Sequence, residues 1–170
     1  LDLLDTEKAK HVFDMDNQGY EKARNVEKKC LDILALYSPV AKDLRIVATG
    51  FKILTDLNRI IRYACDIAEI AIKMSGSKHF KKMVSTPYMA EMVCEMVETA
   101  VKSFIEGKVE TTKHIFEIEE KVDSLFDEIF REVITYIVED PRRIGNGMNY
   151  ILVAKYLERI ADHACNIGEM

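Results

Sequence analysis

The sequence predicts an all-α chain built as two tandem helical units, and three observations carry that prediction. Helix-forming residues dominate, with only three prolines and seven glycines among 170 residues. Apolar side chains return at steps of three and four along most of the length. One helical segment is also written twice: Leu57-Asn-Arg-Ile-Ile-Arg-Tyr-Ala-Cys-Asp-Ile-Ala-Glu69 matches Leu157-Glu-Arg-Ile-Ala-Asp-His-Ala-Cys-Asn-Ile-Gly-Glu169 at seven of thirteen positions. A repeat of this kind marks one supersecondary unit used twice.

The first helix is predicted over 6–36, where Ala9, Val12, Phe13, Tyr20, Ala23, Val26, Cys30, Ile33 and Leu34 keep a largely helical spacing, with Asp5 as the cap candidate. Ser38-Pro39 breaks it. A second helix follows over about 40–74 with Ile46, Ile53, Leu57, Ile60, Ala64, Ile67 and Ala71 on one face, and Ser75-Gly-Ser77 ends it. The basic stretch Lys78 to Lys82 reads as a loop or a fraying end. Thr86-Pro87 opens the third helix, because a proline in the first turn removes an N–H that has no partner anyway. Its expected buried face is Met89, Met92, Val93, Met96, Val97, Ala100, Val101 and Phe104. At that spacing core packing outweighs a pliable methionine groove.

Gly107 stops it. The fourth helix, about 109–138, carries a seam of Ile115, Ile118, Val122, Leu125, Ile129, Val133 and Tyr136 suited to bundle packing. Asp140-Pro141 separates it from a fifth, which starts near Ile144 and reaches the chain end. No segment shows convincing strand alternation. The repeat extends backwards, since Lys10-His-Val-Phe-Asp14 echoes Lys113-His-Ile-Phe-Glu117. By symmetry the helix preceding the fourth should have a counterpart before the first. The chain begins at Leu1 without an initiator Met, and that piece is expected to be missing.

The net charge of −5 speaks against nucleic-acid binding, which needs a basic face. No apolar run approaches the roughly 18 residues that span a bilayer, and no signal-peptide pattern is present. Cys30, Cys65, Cys94 and Cys165 form no Cys-x-x-Cys pair and sit within helical patterns, so reduced, half-buried core thiols in a cytoplasmic protein are expected rather than a structural zinc site.

Beside the main seam of the fourth helix runs a second stripe, Phe116, Glu119, Asp123, Phe126 and Phe130, with two carboxylates in an aromatic row. Glu158 and Asp162 share a face of the fifth helix, flanked by the small residues Ala154, Ala161, Ala164 and Cys165. If these helices pack antiparallel, four carboxylates converge. Two such charges about 4 Å apart repel by roughly 4 kcal/mol at an effective dielectric near 20, so protonation or a cation must relieve them. Oxygen ligands suit Mg²⁺, Mn²⁺ or Ca²⁺, and iron also accepts carboxylates. The plainer reading is a solvated face salt-bridged to Lys121, Arg159 or Arg131.

His114 and His163 are weaker ligand candidates. A di-iron oxidase needs Glu-x-x-His, but Lys8, Gly76, Thr111 and Ile160 stand three residues before the four histidines. No phosphate-binding glycine loop, nucleophile elbow or zincin motif appears, so no enzyme is expected.

Taken together the motifs are specific. Pro39-Val-Ala-Lys-Asp-Leu-Arg45 resembles the Pro-x-Ala-x-Asp-Leu-Arg turn of the PhoU family. Tyr156-Leu-Glu-Arg-Ile-Ala-Asp-His-Ala-Cys-Asn-Ile167 resembles its Glu-Arg-Ile-Gly-Asp signature, and Glu120-Lys-Val-Asp123 through Tyr136-Ile-Val-Glu-Asp140 the helix before it. The resemblance implies tandem three-helix bundles over 1–77 and 84–170, the first lacking its N-terminal helix and the last helix cut short.

It further implies a cytoplasmic, homodimeric regulator of phosphate uptake and signalling, acting on the phosphate ABC transporter's ATPase subunit and a sensor histidine kinase, and meeting the membrane only through such partners. It implies a carboxylate-bound cation (iron, zinc, Mn or Mg) at Glu119, Asp123, Glu158 and Asp162. In the first unit Asn58 and Arg62 replace the acids, opposite Asp16 and Tyr20. Arg62 is expected to pair with Asp16 or Asp66, and no multinuclear cluster is expected there. Asp43 and Arg45 are expected to cap and salt-bridge the turn rather than contact a partner. The alternative from another class is a carboxylate-cluster hydrolase or a metal-storage bundle. A purely structural helical scaffold is the blandest reading.

Overall fold

The computed structural model describes residues 6–76, 85–107 and 112–170. Among the described residues there are five long helices and no strand: α1 (Thr6–Tyr37), α2 (Ala41–Lys73), α3 (Ser85–Glu106), α4 (Thr112–Glu139) and α5 (Ile144–Gly168), with a 3₁₀ turn at Pro141–Arg143. Each predicted helix is present, with ends within a few residues of expectation. Leu1–Asp5, the Lys78–Lys82 stretch and positions 109–111 lie outside the described residues.

Local chemistry sets the joints. Ser38 leaves α1 at φ +45° and Pro39 follows, which cannot continue a helix; Ala41 takes φ +50° on entering α2. Gly76 and Gly107 sit at φ +84° and +65° just past α2 and α3, where a side chain would be strained. At the α4–α5 corner Asp140 accepts the Arg142 backbone N–H at 3.2 Å and its side chain Nε at 2.9 Å, so the Arg142 contact holds its carboxyl below the usual range.

α1 and α2 pair, and α3, α4 and α5 all pack on one another; α2 joins the two groups by lying against α5. The main core runs through α2 to α5, with Met89, Met96, Ala100, Ile115, Val122, Val153, Ala154 and Ala164 wholly buried. Close approach of α5 to α4 depends on Gly147, where an added Cβ would lie 2.7 Å from Ile137 Cδ1 and 3.1 Å from Val133 Cγ1. Expected core positions in three helices behave otherwise. In α2 Ile46 is exposed and its neighbour Val47 is buried instead, because the buried face passes one position further along the helix there. In α3 it is Ser103 that is buried while Phe104 is exposed, because the helix turns that face outward at its C-terminal end. In α1 only Ala9 is buried, and Tyr20, Val26 and Ile33 are exposed. The reason is packing: α1 lies against α2, so much of its apolar stripe has no helix above it.

Candidate metal centre

α4 and α5 lie side by side and bring the four predicted carboxylates to one seam. Glu119 is pushed up from the ordinary carboxylate range chiefly by burial, helped by the negative charges of Asp123 and Asp162 and opposed by a hydrogen bond from Cys165. Asp123 is pushed up by burial and then by Glu158 and Asp162 across the seam. Each α4 acid therefore feels α5 carboxylates, as the antiparallel packing expected from sequence requires. Cys165, buried beneath, has its thiol pushed up to about 12 by burial and by Glu119, which makes it an inert hydrogen-bond donor.

The α5 acids already hold cations of the chain's own. Lys155 Nζ pairs with Glu158 Oε2, and the same ammonium stands 5.0 Å from the centre of the Phe126 ring. Arg159 Nη1 pairs with Asp162 Oδ2 at 2.9 Å. Lys155 escaped the sequence reading, although its place three residues before Glu158 on one helical face was a visible signal. Among the described residues no three His, Cys, Asp or Glu side chains stand close enough as they lie to hold a metal ion. The donor set nonetheless fits a hard cation in chemistry, being four carboxylates on one seam, with Glu119 and Asp123 in no ion pair among the described residues and Lys155 only partly offsetting the charge around Asp123. Filling it would require an ion to take over from Lys155 and Arg159.

The metal-free protein is expected to gain stability from Glu119 and Asp123 as pH falls. Their folded values lie above the ordinary 4.5 and 3.8, so the folded state binds these protons more tightly. The gain runs from the raised values down to the ordinary ones, while Asp140, held low, works in the opposite direction. Urea denaturation across that window, compared with Glu119→Gln/Asp123→Asn, should show a pH dependence that the variant flattens.

The first unit carries the same seam with different chemistry. Arg62 Nη2 pairs with Asp66 Oδ1 at 3.0 Å. Burial, and then the Asp16 charge, push the Cys65 thiol up, echoing Glu119 over Cys165. Beside it lies a groove of about 380 Å³ lined by Tyr20, Ala23, Arg24, Thr55 and Asn58, with Ala23 where the second unit has Phe126. Asp43 stands in the first turn of α2 and both it and Arg45 are exposed; Val40 is the N-cap and no side chain caps it. The expected cap is therefore not made by the Asp43 side chain.

Neither histidine joins the carboxylates. His114 Nε2 contacts Glu95 Oε1 at 2.9 Å, tying α4 to α3 on the surface. His163 Nδ1 meets Asp56 Oδ1 at 2.7 Å, between α5 and α2. Asp56 was missed, though an acid amid Ile53, Leu57 and Ile60 on an apolar face was a legible anomaly. Of the four thiols, all reduced, Cys65 and Cys165 are buried and Cys30 is partly so, whereas Cys94 is exposed, contrary to expectation, because it lies on the outward side of α3.

A model for the PhoU domain matches residues 2–71 and 87–170. The phosphate-specific transport system accessory protein PhoU homolog of Deinococcus radiodurans is 33% identical over 158 residues, which is 93% of this chain and 74% of that protein. The homolog of Aquifex aeolicus is 41% identical over 135 residues, 79% of this chain and 61% of that protein. The crystal structure of PhoU from Pseudomonas aeruginosa superposes with a TM-score of 0.92 at 32% identity, covering 98% of this chain and 80% of that one.

Proposed function

Since the chain belongs to the PhoU family, we propose that it is a non-catalytic adaptor of a phosphate-specific transport system, working through protein contacts and steadied by a cation on its second unit. The observation that carries this reading is the family match across both halves of the chain, residues 2–71 and 87–170. The proposed partners are the ATPase subunit of the phosphate ABC transporter and a sensor histidine kinase, reached from the cytoplasm by a homodimer. The proposed working units are 1–77 and 84–170. No helix among the described residues is long and apolar enough to cross a membrane.

The carboxylate seam supports a binding role over chemistry. Its acids face one another and a resident lysine already paired to Glu158, and the thiol beneath them is held protonated, so no thiolate nucleophile stands among them. The proposed cation, iron, zinc, Mn or Mg, would be held by Glu119, Asp123, Glu158 and Asp162 and would supply charge neutralisation across α4 and α5. The full-length protein is expected to retain the transporter's ATPase subunit in a pull-down from native membranes and to hydrolyse phosphate esters no faster than buffer. Metal-dependent turnover with no captured subunit would overturn the adaptor reading in favour of a hydrolase.

A further inference from the structure

Among the described residues Asp56 is the one charged side chain that is buried, at 8% exposure. Such a group is costly to bury unless it is fully hydrogen-bonded. Its Oδ1 accepts from His163 Nδ1 at 2.7 Å and from Asn166 Nδ2 at 3.3 Å, so one carboxylate of the first unit grips two positions on α5. The His163 ring stacks on Tyr63 with centroids 5.8 Å apart, and Tyr63 stacks on Tyr156, also at 5.8 Å.

The repeat gives these contacts a meaning. Position 56 corresponds to 156 and position 63 to 163. The pairs 56–163 and 63–156 therefore exchange under the repeat, so α2 and α5 cross antiparallel about a local pseudo-twofold with Tyr63 and His163 beside its axis. The two equivalent contacts differ in chemistry. The carboxylate–imidazole pair falls next to Asp162, on the helix that carries the acids. The ring stack falls next to Arg62, on the helix where Asn58 and Arg62 replace them. A buried polar contact of this kind adds little stability over apolar packing, and its best-attested use is to fix register.

We propose that Asp56 is a positioning residue: by holding His163 and Asn166 it fixes the rotation of α5 so that Glu158 and Asp162 face α4, and thereby ties the first unit to the acidic seam of the second. This rests on the cation-binding reading above. In the whole chain, Asp56→Leu removes the acceptor while Asp56→Asn keeps one. Mn²⁺ titration followed by electron paramagnetic resonance and amide hydrogen exchange of the metal-free protein are the readouts. Asp56→Leu is expected to bind Mn²⁺ about tenfold more weakly, as loss of an outer orienting contact does, and to exchange faster along α5, while Asp56→Asn stays close to the parent. If Asp56→Leu does not fold, His163→Phe keeps the ring against Tyr63, removes the donor and takes its place. A helical variant with parental Mn²⁺ affinity, measured against a parent that binds, overturns the positioning role. A parent that binds no Mn²⁺ overturns the cation reading instead, and α5 exchange then decides Asp56 alone, with unchanged exchange overturning it.

Discussion

Met96→Ala is expected to destabilise the protein by roughly 2–5 kcal/mol, the range for truncating a buried methionine. Met96 is 0% exposed and sits mid-way along the stripe Met89, Met92, Val93, Met96 and Ala100, with which α3 closes the second unit against α4 and α5. The cost has two parts: the lost transfer of the side chain from water, and the cavity left where three helices meet and none can follow the retreating surface. Met96→Leu conserves volume and is expected to cost less than about 1.5 kcal/mol. Urea unfolding checks both, with the midpoint moving and the slope unchanged. A near-neutral Met96→Ala would instead mark this stripe as an adaptable binding groove of the kind methionine-rich surfaces form.

Glu158→Gln combined with Asp162→Asn is expected to abolish cation binding and to relax the remaining acids. Asp123 is held up first by burial and next by these two charges, so it should fall back toward its ordinary range once they are gone. Lys155 and Arg159 would lose their ion-pair partners at the same time. The exposed Arg159–Asp162 pair contributes at most about 1 kcal/mol, and in place of the part-buried Lys155–Glu158 pair the new amide still accepts from Lys155, so the fold should survive. Elemental analysis of the purified protein and a Mn²⁺ titration give the comparison. Equal metal content in parent and variant would remove Glu158 and Asp162 from the site.

Much of the fold was legible because helix periodicity and chain breakers are local properties. Ser38-Pro39, Gly107 and Asp140-Pro141 act within a turn of themselves, and the structure breaks its helices where they stand. What local pattern did not reveal is which apolar stripes are covered. Tyr20, Val26 and Ile33 keep helical spacing yet lie exposed, since spacing says that a face is apolar and not that another helix lies on it.

The candidate seam divides in the same way. Glu119, Asp123, Glu158 and Asp162 could be paired from their spacing and from the repeat, because residues one turn apart share a face in any helix. That Lys155 and Arg159 hold two of these acids was only partly visible, since Lys155 has Glu158 alone within one turn whereas Arg159 has both Glu158 and Asp162 beside it. The Asp56–His163 contact joins residues more than a hundred positions apart, and no periodicity encodes the rotation of one helix on another. The amino-acid order by itself therefore determined the helices, their duplication and which unit kept its acids. Only tertiary packing decided which charge meets which, because a partner for a buried or half-buried charge is chosen by the crossing of helices in space and by what that crossing excludes from water.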